Sequence, residues 1–109
     1  MSENKYIHGK IYTIRCYDKP EYLYIGSTIR DLKTRMSQHK SAMKQAYCKS
    51  KLYKCMRSSD SLDWWYIELY ENFPCENAKQ LKNREYSIIN ELKPSLNTYP
   101  VHYDPDYYR

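Results

Sequence analysis

Two polar side chains, Arg35 and His39, lie on or beside the face of a predicted helix that should pack against the protein interior. Residues 31–46 predict a helix with Asp31 as its N-cap, and Arg35 and His39 are four residues apart within it. On a helical wheel centred on Leu32, His39 falls among the apolar residues and Arg35 at their edge. Side chains four apart share a face, so an anion-binding arginine and a proton-accepting histidine can contact the same ligand. The structural alternative is an arginine that extends to solvent and a hydrogen-bonded core histidine.

A carboxylate occupies the middle of the apolar stripe of the last predicted helix. This helix begins at Cys75 or Glu76 and ends at Leu92, and its stripe consists of Ala78, Leu81, Glu85, Ile88 and Leu92, with Ile89 beside it. A buried carboxylate is costly unless it is paired or binds a cation. Glu85 therefore either forms a structural salt bridge, for which Arg35 is available, or ligates a metal ion.

A predicted hairpin precedes the first helix and carries two tyrosines of interest, Tyr12 and Tyr24. Residues 10–16 (KIYTIRC) alternate as a strand does, residues 17–21 form a turn, and residues 22–27 form the second strand. Gly26 lies at the end of that strand. It either supplies a backbone conformation that other residues resist or lets another group approach closely.

The remaining elements complete a small α+β domain. A short helix is predicted over residues 50–57, with Leu52, Met56 and Tyr53 directed inward, and residues 58–61 form a loop. Residues 63–72 (DWWYIELYEN) give the strongest strand pattern in the chain, with Trp65, Ile67 and Leu69 on one face. The order β-β-α-α-β-α predicts a three-stranded antiparallel sheet flanked by helices.

The ends of the chain are expected to be less regular. Residues 1–8 are expected to be frayed, and Pro94 ends the last helix before a turn that contains Asn97. A single domain is predicted over residues 1–98, followed by a C-terminal arm over residues 99–109.

Composition limits the classes of protein to consider. The chain has 109 residues, of which 41% are hydrophobic and 28% charged, as in a soluble globular domain. No apolar run approaches the ~18 residues that a membrane span requires, and the N-terminus does not resemble a signal peptide. An intracellular location, cytoplasmic or nuclear, is therefore expected. The four cysteines form no CxxC pair and are expected to be reduced thiols.

Positive charge is concentrated in one part of the chain. The net charge is +5, and nine basic residues but only one acidic residue, Asp31, lie between Ile29 and Arg57. The remainder of the chain is more acidic than basic. A one-sided distribution of this kind favours a polyanionic partner such as nucleic acid, the alternative being solvated lysines on helix surfaces.

The ordered set of these residues resembles the GIY-YIG nuclease family. The family's two motifs correspond here to residues 10–12 (KIY) and residues 24–26 (YIG), separated by a strand, a turn and a strand. An arginine, Arg35, follows the second motif, and His39 follows one helical turn later. The resemblance covers about residues 8–98.

The resemblance extends to a carboxylate within the last predicted helix and to an asparagine after it. Residues 84–97 (REYSIINELKPSLN) fit the family's corresponding segment, with Glu85 as the acid and Asn97 after the helix-ending Pro94. One departure is clear: Lys10 stands where the first motif has its glycine, and Gly9 is displaced by one position.

The resemblance implies a metal-dependent endonuclease that hydrolyses phosphodiester bonds in DNA. Glu85 would hold one hard divalent cation, Mg²⁺ or Mn²⁺, which needs few protein ligands because it keeps several waters. Arg35 would stabilise the charge on the phosphate. Tyr24 would position water or phosphate, and Asn97 would hold the site together through hydrogen bonds.

Two residues, Tyr12 and His39, are candidates for the base that activates water. A free tyrosine has a pKa of ~10 and is a poor base at neutral pH, although a cation and Arg35 would lower that pKa. A histidine, with a pKa of ~6.5, suits either the base itself or the group that takes the proton from Tyr12.

The basic residues are expected to follow the DNA backbone. This set comprises Lys33, Lys40, Lys44, Lys49, Lys51, Lys54 and Arg57. The alternative function is a non-catalytic nucleic-acid-binding domain of the same fold, which would bind without a metal. One active site cuts one strand, so a double-strand cut would need a homodimer or two visits.

Overall fold

Three antiparallel strands form one sheet that carries helices on both faces. The computed structural model describes residues 4–45 and 50–98, and the strands are arranged in the order β2-β1-β3. The elements are β1 (Lys10–Cys16), β2 (Lys19–Thr28), α1 (Leu32–Ala42), α2 (Lys51–Ser58), β3 (Trp65–Asn72) and α3 (Ala78–Leu92), with 3-10 turns at Lys5–His8 and Leu62–Trp64. The predicted α+β class and element order are confirmed. The predicted arm, residues 99–109, lies outside the described residues.

The central strand β1 contributes to two separate cores. Tyr12, Ile14 and Cys16 pack with Met36 of α1 and with Leu52 and Met56 of α2. On the other face, Ile11 of β1 and Ile25 of β2 pack with Leu81, Ile88 and Ile89 of α3. The alternation read in β1 therefore separates two buried faces, because helices cover both sides of the sheet.

Two strand boundaries differ from the prediction. β2 begins at Lys19 rather than residue 22, and only residues 17 and 18 form the turn. Pro20 is tolerated within β2 because this strand lies at an edge of the sheet and pairs only with β1. β3 begins at Trp65 rather than residue 63, since residues 62–64 form a 3-10 turn in which the Ser61 hydroxyl accepts a hydrogen bond from the backbone N–H of Asp63 (3.2 Å).

The first two helices are shifted by local capping. α1 ends at Ala42, earlier than predicted, and Arg57 Nη1 donates to the carbonyl oxygens of Met43 (2.9 Å) and Gln45 (3.2 Å). A side chain thus satisfies carbonyl groups that a longer helix would otherwise use. The predicted end, residue 46, lies outside the described residues. α2 begins one residue later than predicted because Ser50 serves as its N-cap.

The last helix begins at Ala78, later than the predicted start at residue 75 or 76. Asn77 is the reason, since its Oδ1 accepts a hydrogen bond from the backbone N–H of Gln80 at 2.9 Å. Arg84 donates to both carboxylate oxygens of Glu71, at 2.6 and 2.7 Å, and joins α3 to β3. Pro94 follows the helix end as predicted, after Lys93 in the left-handed conformation (φ 50°).

Part of the N-terminal segment is ordered rather than frayed. Residues 5–8 form a 3-10 turn, and the backbone N–H of Cys75 donates to the Tyr6 carbonyl at 3.0 Å. Phe73 N–H likewise donates to the Gly9 carbonyl at 2.8 Å. A Cβ at Gly9 would lie 2.5 Å from the Phe73 carbonyl oxygen, so this close pairing requires glycine.

Three residues of the apolar patterns identified in the sequence are exposed. Leu69 is 48% exposed, Leu92 is 41% exposed, and Ala78 is also exposed. Periodicity identifies the face of an element but not where the element packed against it ends, and at these positions the covering is missing.

Two expectations from composition can be compared with the described residues. Cys16, Cys55 and Cys75 are free thiols, as expected, and Cys48 lies outside the description. Within residues 4–45 and 50–98, none of the helices has the length and apolar character needed to cross a membrane.

Candidate active site

The hydroxyl of Tyr12 contacts both Arg35 and His39, the two residues predicted to share one face of α1. Tyr12 is only 1% exposed, and its hydroxyl lies 2.7 Å from Nε2 of His39. Arg35 Nε donates a hydrogen bond to the same oxygen at 3.2 Å. The arginine and histidine of α1 therefore contact one group together, and that group belongs to β1. A histidine buried by this arrangement is both part of the core and part of the site.

Gly26 allows this arrangement by lacking a side chain. It is the cross-strand partner of Tyr12, and a Cβ built at this position would overlap the Tyr12 hydroxyl and lie 2.5 Å from its Cζ. The backbone of Gly26 is not in the left-handed region. Of the two explanations offered by the sequence, close approach therefore holds, because the Tyr12 ring crosses β2 at this residue.

Tyr24 contributes a second aromatic ring to the group. Its ring centroid lies 6.4 Å from that of Tyr12 and 5.8 Å from that of His39, the latter in an edge-to-face arrangement. Burial raises the pKa of Tyr24 far above its ordinary value, so this phenol is neutral at physiological pH.

Burial also fixes the charge states of Tyr12 and His39. It raises the pKa of Tyr12 to about 12, although the nearby Arg35 acts in the opposite direction. Burial first, and then the Arg35 charge, lowers the pKa of His39 to about 3. Near pH 7 the two groups are therefore a neutral phenol and a neutral imidazole in direct hydrogen-bond contact.

Glu85 is held by β2 rather than by the first helix. The carboxylate is 6% exposed, and its Oε1 accepts hydrogen bonds from the Ser27 hydroxyl (2.5 Å) and from Lys82 Nζ (3.3 Å). Arg35 donates instead to Tyr12 and to Gln38 Oε1 (3.2 Å). The structural alternative, a buried salt bridge between Glu85 and Arg35, is therefore wrong.

Ser27 is a site residue that sequence reasoning missed. It was interpreted as a residue that ends the second strand, but β2 continues through Thr28. Ser27 pairs with Ile11, whose side chain packs on the α3 face of the sheet, and it reaches Glu85 there. Alternation along β2 would place Ser27 on this face, but only the packing of α3 reveals its partner.

The donor set suits a hard cation with a single protein carboxylate. Among the described residues, none donates a hydrogen bond to Glu85 Oε2, which leaves one anionic oxygen for another partner. The same residues include no cluster of three or more His, Cys, Asp or Glu side chains able to enclose a metal. Mg²⁺ commonly accepts one or two carboxylates and completes its shell with water and phosphate, so Glu85 fits such an ion.

Asn97 supports the strand that carries Tyr24 and Gly26. Its Oδ1 accepts from the Ile25 N–H and its Nδ2 donates to the Ile25 carbonyl, both at 2.9 Å. Leu96 N–H donates to the Leu23 carbonyl at 2.9 Å. The segment after α3 thus satisfies backbone groups on the free edge of β2, which would otherwise be unpaired.

The candidate DNA-binding residues differ in exposure and in the groups they contact. Lys33 and Lys40 line a groove of about 490 Å³ between α1 and β3, together with Met36 and Tyr66. The side chains of Lys44, Lys51 and Lys54 are exposed, and Lys49 lies outside the described residues. Arg57 is partly buried, and its Nη1 binds backbone carbonyls after α1.

Lys10, the departure from the first motif, attaches the site to its neighbours. Its Nζ donates to the carbonyl oxygens of His8 and Arg30, each at 2.9 Å. Lys10 therefore joins the start of β1 to the loop that leads into α1, and β1 begins at this position.

Comparison with known proteins identifies the family to which the chain belongs. The profile of the GIY-YIG catalytic domain matches residues 8–100. The chain belongs to the GIY-YIG family. No curated protein sequence matches the chain. The GIY-YIG domain is a nuclease fold, and the resemblance predicted from the two motifs is confirmed.

Two solved structures share the fold of this GIY-YIG domain. The catalytic domain of the homing endonuclease I-TevI is 21% identical with a TM-score of 0.64, over 86% of this chain and 98% of that chain. A glutamate-to-alanine mutant of the catalytic domain of the intron endonuclease I-TevI is 20% identical with a TM-score of 0.66, over 88% and 98% respectively. At these identities the likeness establishes the fold.

Proposed function

We propose that this GIY-YIG domain is a DNA endonuclease that hydrolyses phosphodiester bonds with the help of Mg²⁺ or Mn²⁺. The observation that carries the proposal is the hydrogen-bonded group of Tyr12, Arg35 and His39, assembled from β1 and α1. Glu85, whose charge also raises the pKa of Tyr12, supplies the accompanying carboxylate.

Glu85 and Arg35 would manage the negative charge of the substrate. Glu85 would hold the cation, which when bound neutralises phosphate charge and stabilises the leaving oxygen. The guanidinium of Arg35 has five N–H donors, and its bonds to Tyr12 and Gln38 leave others for a non-bridging phosphate oxygen. That contact would strengthen as charge grows on the phosphate in the transition state.

Tyr12 and His39 would move the proton of the attacking water together. As the water oxygen forms its bond to phosphorus and the bond from phosphorus to the leaving oxygen breaks, one proton of the water passes to the Tyr12 oxygen. The original hydroxyl proton of Tyr12 passes to Nε2 of His39, which lies 2.7 Å away and is neutral. This sequence avoids a free phenolate, which the pKa of about 12 makes rare at neutral pH.

Cleavage of supercoiled plasmid tests the proposal. The wild type is expected to produce nicked circles with Mg²⁺ or Mn²⁺ and no product with EDTA, while DNA binding persists in both conditions. Linear product formed directly from supercoiled plasmid would indicate that both strands are cut in one binding event, as by a homodimer, whereas nicked circles that precede linear product would indicate two visits. A protein that binds DNA but stays inert with every metal would support the non-catalytic DNA-binding alternative.

The predicted cytoplasmic or nuclear location stays a prediction.

Replacing the two lysines of the groove beside α1 should weaken binding by the same factor for all DNA sequences. The double variant Lys33→Ala, Lys40→Ala is expected to lower the slope of log affinity against log salt by about 2, since each phosphate contact contributes roughly 0.9. Titration of labelled duplexes at several salt concentrations measures the slope. Lys19→Ala, at an exposed position near the β1–β2 turn, is the matched control. An unchanged slope in the double variant would exclude these lysines from the interface.

Gly26→Ala should disable cleavage by displacing the Tyr12 phenol. The added methyl would overlap the hydroxyl, and a misplacement of about 1 Å at a reacting group can lower the rate roughly a hundredfold. Nicking rates at saturating DNA measure this effect. Gly9→Ala is the control, since its Cβ would press on the Phe73 carbonyl and should lower the melting temperature but not the rate of the folded protein. Wild-type cleavage by Gly26→Ala would contradict the arrangement.

A further inference from the structure

Tyr53 of α2 makes a contact with the active-site histidine that the steps above do not use. Its hydroxyl lies 2.8 Å from Nδ1 of His39, while Nε2 of the same ring lies 2.7 Å from the Tyr12 hydroxyl. His39 is 1% exposed, so these two phenols occupy both nitrogens of a ring that is nearly closed to solvent.

The hydrogen atoms around His39 can be arranged in two ways. A neutral imidazole has one N–H donor and one acceptor nitrogen. In the first arrangement, the Tyr12 O–H donates to Nε2 and Nδ1–H donates to the Tyr53 oxygen. In the second, Nε2–H donates to the Tyr12 oxygen and the Tyr53 O–H donates to Nδ1.

Arg35 favours the first arrangement. Its guanidinium can only donate, and it already donates to the Tyr12 oxygen. In the second arrangement the Tyr12 oxygen would accept two hydrogen bonds, and its own proton would need another acceptor in a buried site. In the first arrangement Tyr12 accepts from Arg35 and donates to His39, so each group has a partner of the right kind.

We infer that Tyr53 is a positioning residue: in the arrangement that Arg35 favours, its oxygen accepts the Nδ1–H of neutral His39 and so stabilises the tautomer whose Nε2 lone pair faces the Tyr12 hydroxyl. Its consequence for catalysis rests on the proposed function, whereas its effect on the tautomer does not. A proton leaving Tyr12 then finds a vacant acceptor at Nε2, and the Nδ1–H bond to Tyr53 stabilises the positive charge that develops on the ring.

The fold holds Tyr53 at this position through the anchoring of α2. Ser50 caps the helix and its hydroxyl accepts from the Tyr53 N–H at 3.2 Å, while Leu52 and Met56 are each 1% exposed in the core. The rings of Tyr53 and His39 have centroids 5.7 Å apart. The acceptor is thus fixed by packing that does not depend on substrate.

The tautomer of His39 is the direct test. Long-range ¹H–¹⁵N correlation spectra of the wild type, recorded without metal or DNA, should show protonation at Nδ1. Tyr53→Phe keeps the ring but removes the acceptor, and it should shift His39 toward protonation at Nε2. We expect it to lower kcat at least tenfold with little change in KM, because Tyr53 touches His39 rather than the reacting atoms. Tyr17→Phe is the matched control, since Tyr17 is 69% exposed and lies outside both the groove and the site, and it should leave tautomer and kcat unchanged.

Each outcome has a distinct meaning. A wild-type histidine protonated at Nε2 would overturn the inference without the need for any variant. A Tyr53→Phe protein with wild-type tautomer and wild-type kcat would overturn it as well. An inert protein whose His39 still changes tautomer in Tyr53→Phe would overturn the proposed nuclease activity and support the action of Tyr53 on His39.

Discussion

Glu85→Ala is expected to lower metal-supported cleavage roughly a thousandfold, the largest single effect predicted for this chain. Loss of one preorganised group that stabilises transition-state charge typically costs about a hundredfold to a thousandfold, and here the carboxylate would also be the protein's ligand to the cation. Nicking rates across a titration of Mg²⁺ and Mn²⁺ measure the loss. Higher metal concentration should not restore the wild-type rate.

Glu85→Gln separates the charge of Glu85 from its packing. Its amide oxygen can still accept from Ser27, but the variant lacks the charge that attracts a cation. Both Glu85 variants should remain folded, because removal of a buried carboxylate removes its desolvation cost as well as its bonds to Ser27 and Lys82. Added Mg²⁺ should raise the melting temperature of the wild type more than that of either variant. Cleavage by Glu85→Gln within tenfold of wild type would refute the metal assignment.

Tyr12→Phe is expected to lower kcat about a hundredfold to a thousandfold while leaving the fold intact. The substitution keeps a ring that crosses Gly26 but removes the oxygen bound by Arg35 and His39, and with it the path for the proton of water. Single-turnover nicking rates measure the chemical step. The control is Tyr17→Phe, since Tyr17 is 69% exposed, stacks on Tyr66 with centroids 4.4 Å apart and makes no part of this hydrogen-bonded group.

The pH dependence of cleavage distinguishes how Tyr12 takes part. With the pKa of Tyr12 at about 12 and that of His39 at about 3, both stay neutral between these values, so a relay through the neutral pair predicts a flat rate between about pH 5 and about pH 10. Activity should fall at lower pH, as protonation of His39 removes the acceptor. A rate that rises tenfold per pH unit would show instead that cleavage needs the phenolate, and the relay would be wrong.

Much of the site could be predicted from sequence because motif spacing and helical periodicity are local. Arg35 and His39 share a face of α1 wherever that helix packs, since they are four residues apart. Glu85 stands out because a carboxylate in an apolar stripe demands a partner. The spacing from Tyr12 to Gly26 fits a hairpin, and together these features were sufficient to indicate the GIY-YIG family.

Partners contributed by different elements could not be predicted in this way. Tyr53 was correctly placed inward on its helix, yet nothing in its local sequence connects it to a histidine fourteen residues earlier. The sequence pattern places Ser27 at the end of a strand, and it suggests Arg35 as a salt-bridge partner for Glu85. Each assignment depends on which helix packs on which face of the sheet, and periodicity is silent on that point.

The sequence by itself determined the element order, the α+β class and the residue types available for phosphodiester chemistry. Only the tertiary structure decided that β1 lies between β2 and β3, that the Tyr12 ring crosses Gly26, and that Glu85 pairs with Ser27. The physical reason is one of range. Backbone propensity and side-chain periodicity act over a few residues, whereas a buried polar group takes its partner from whichever element the hydrophobic core brings within about 3 Å.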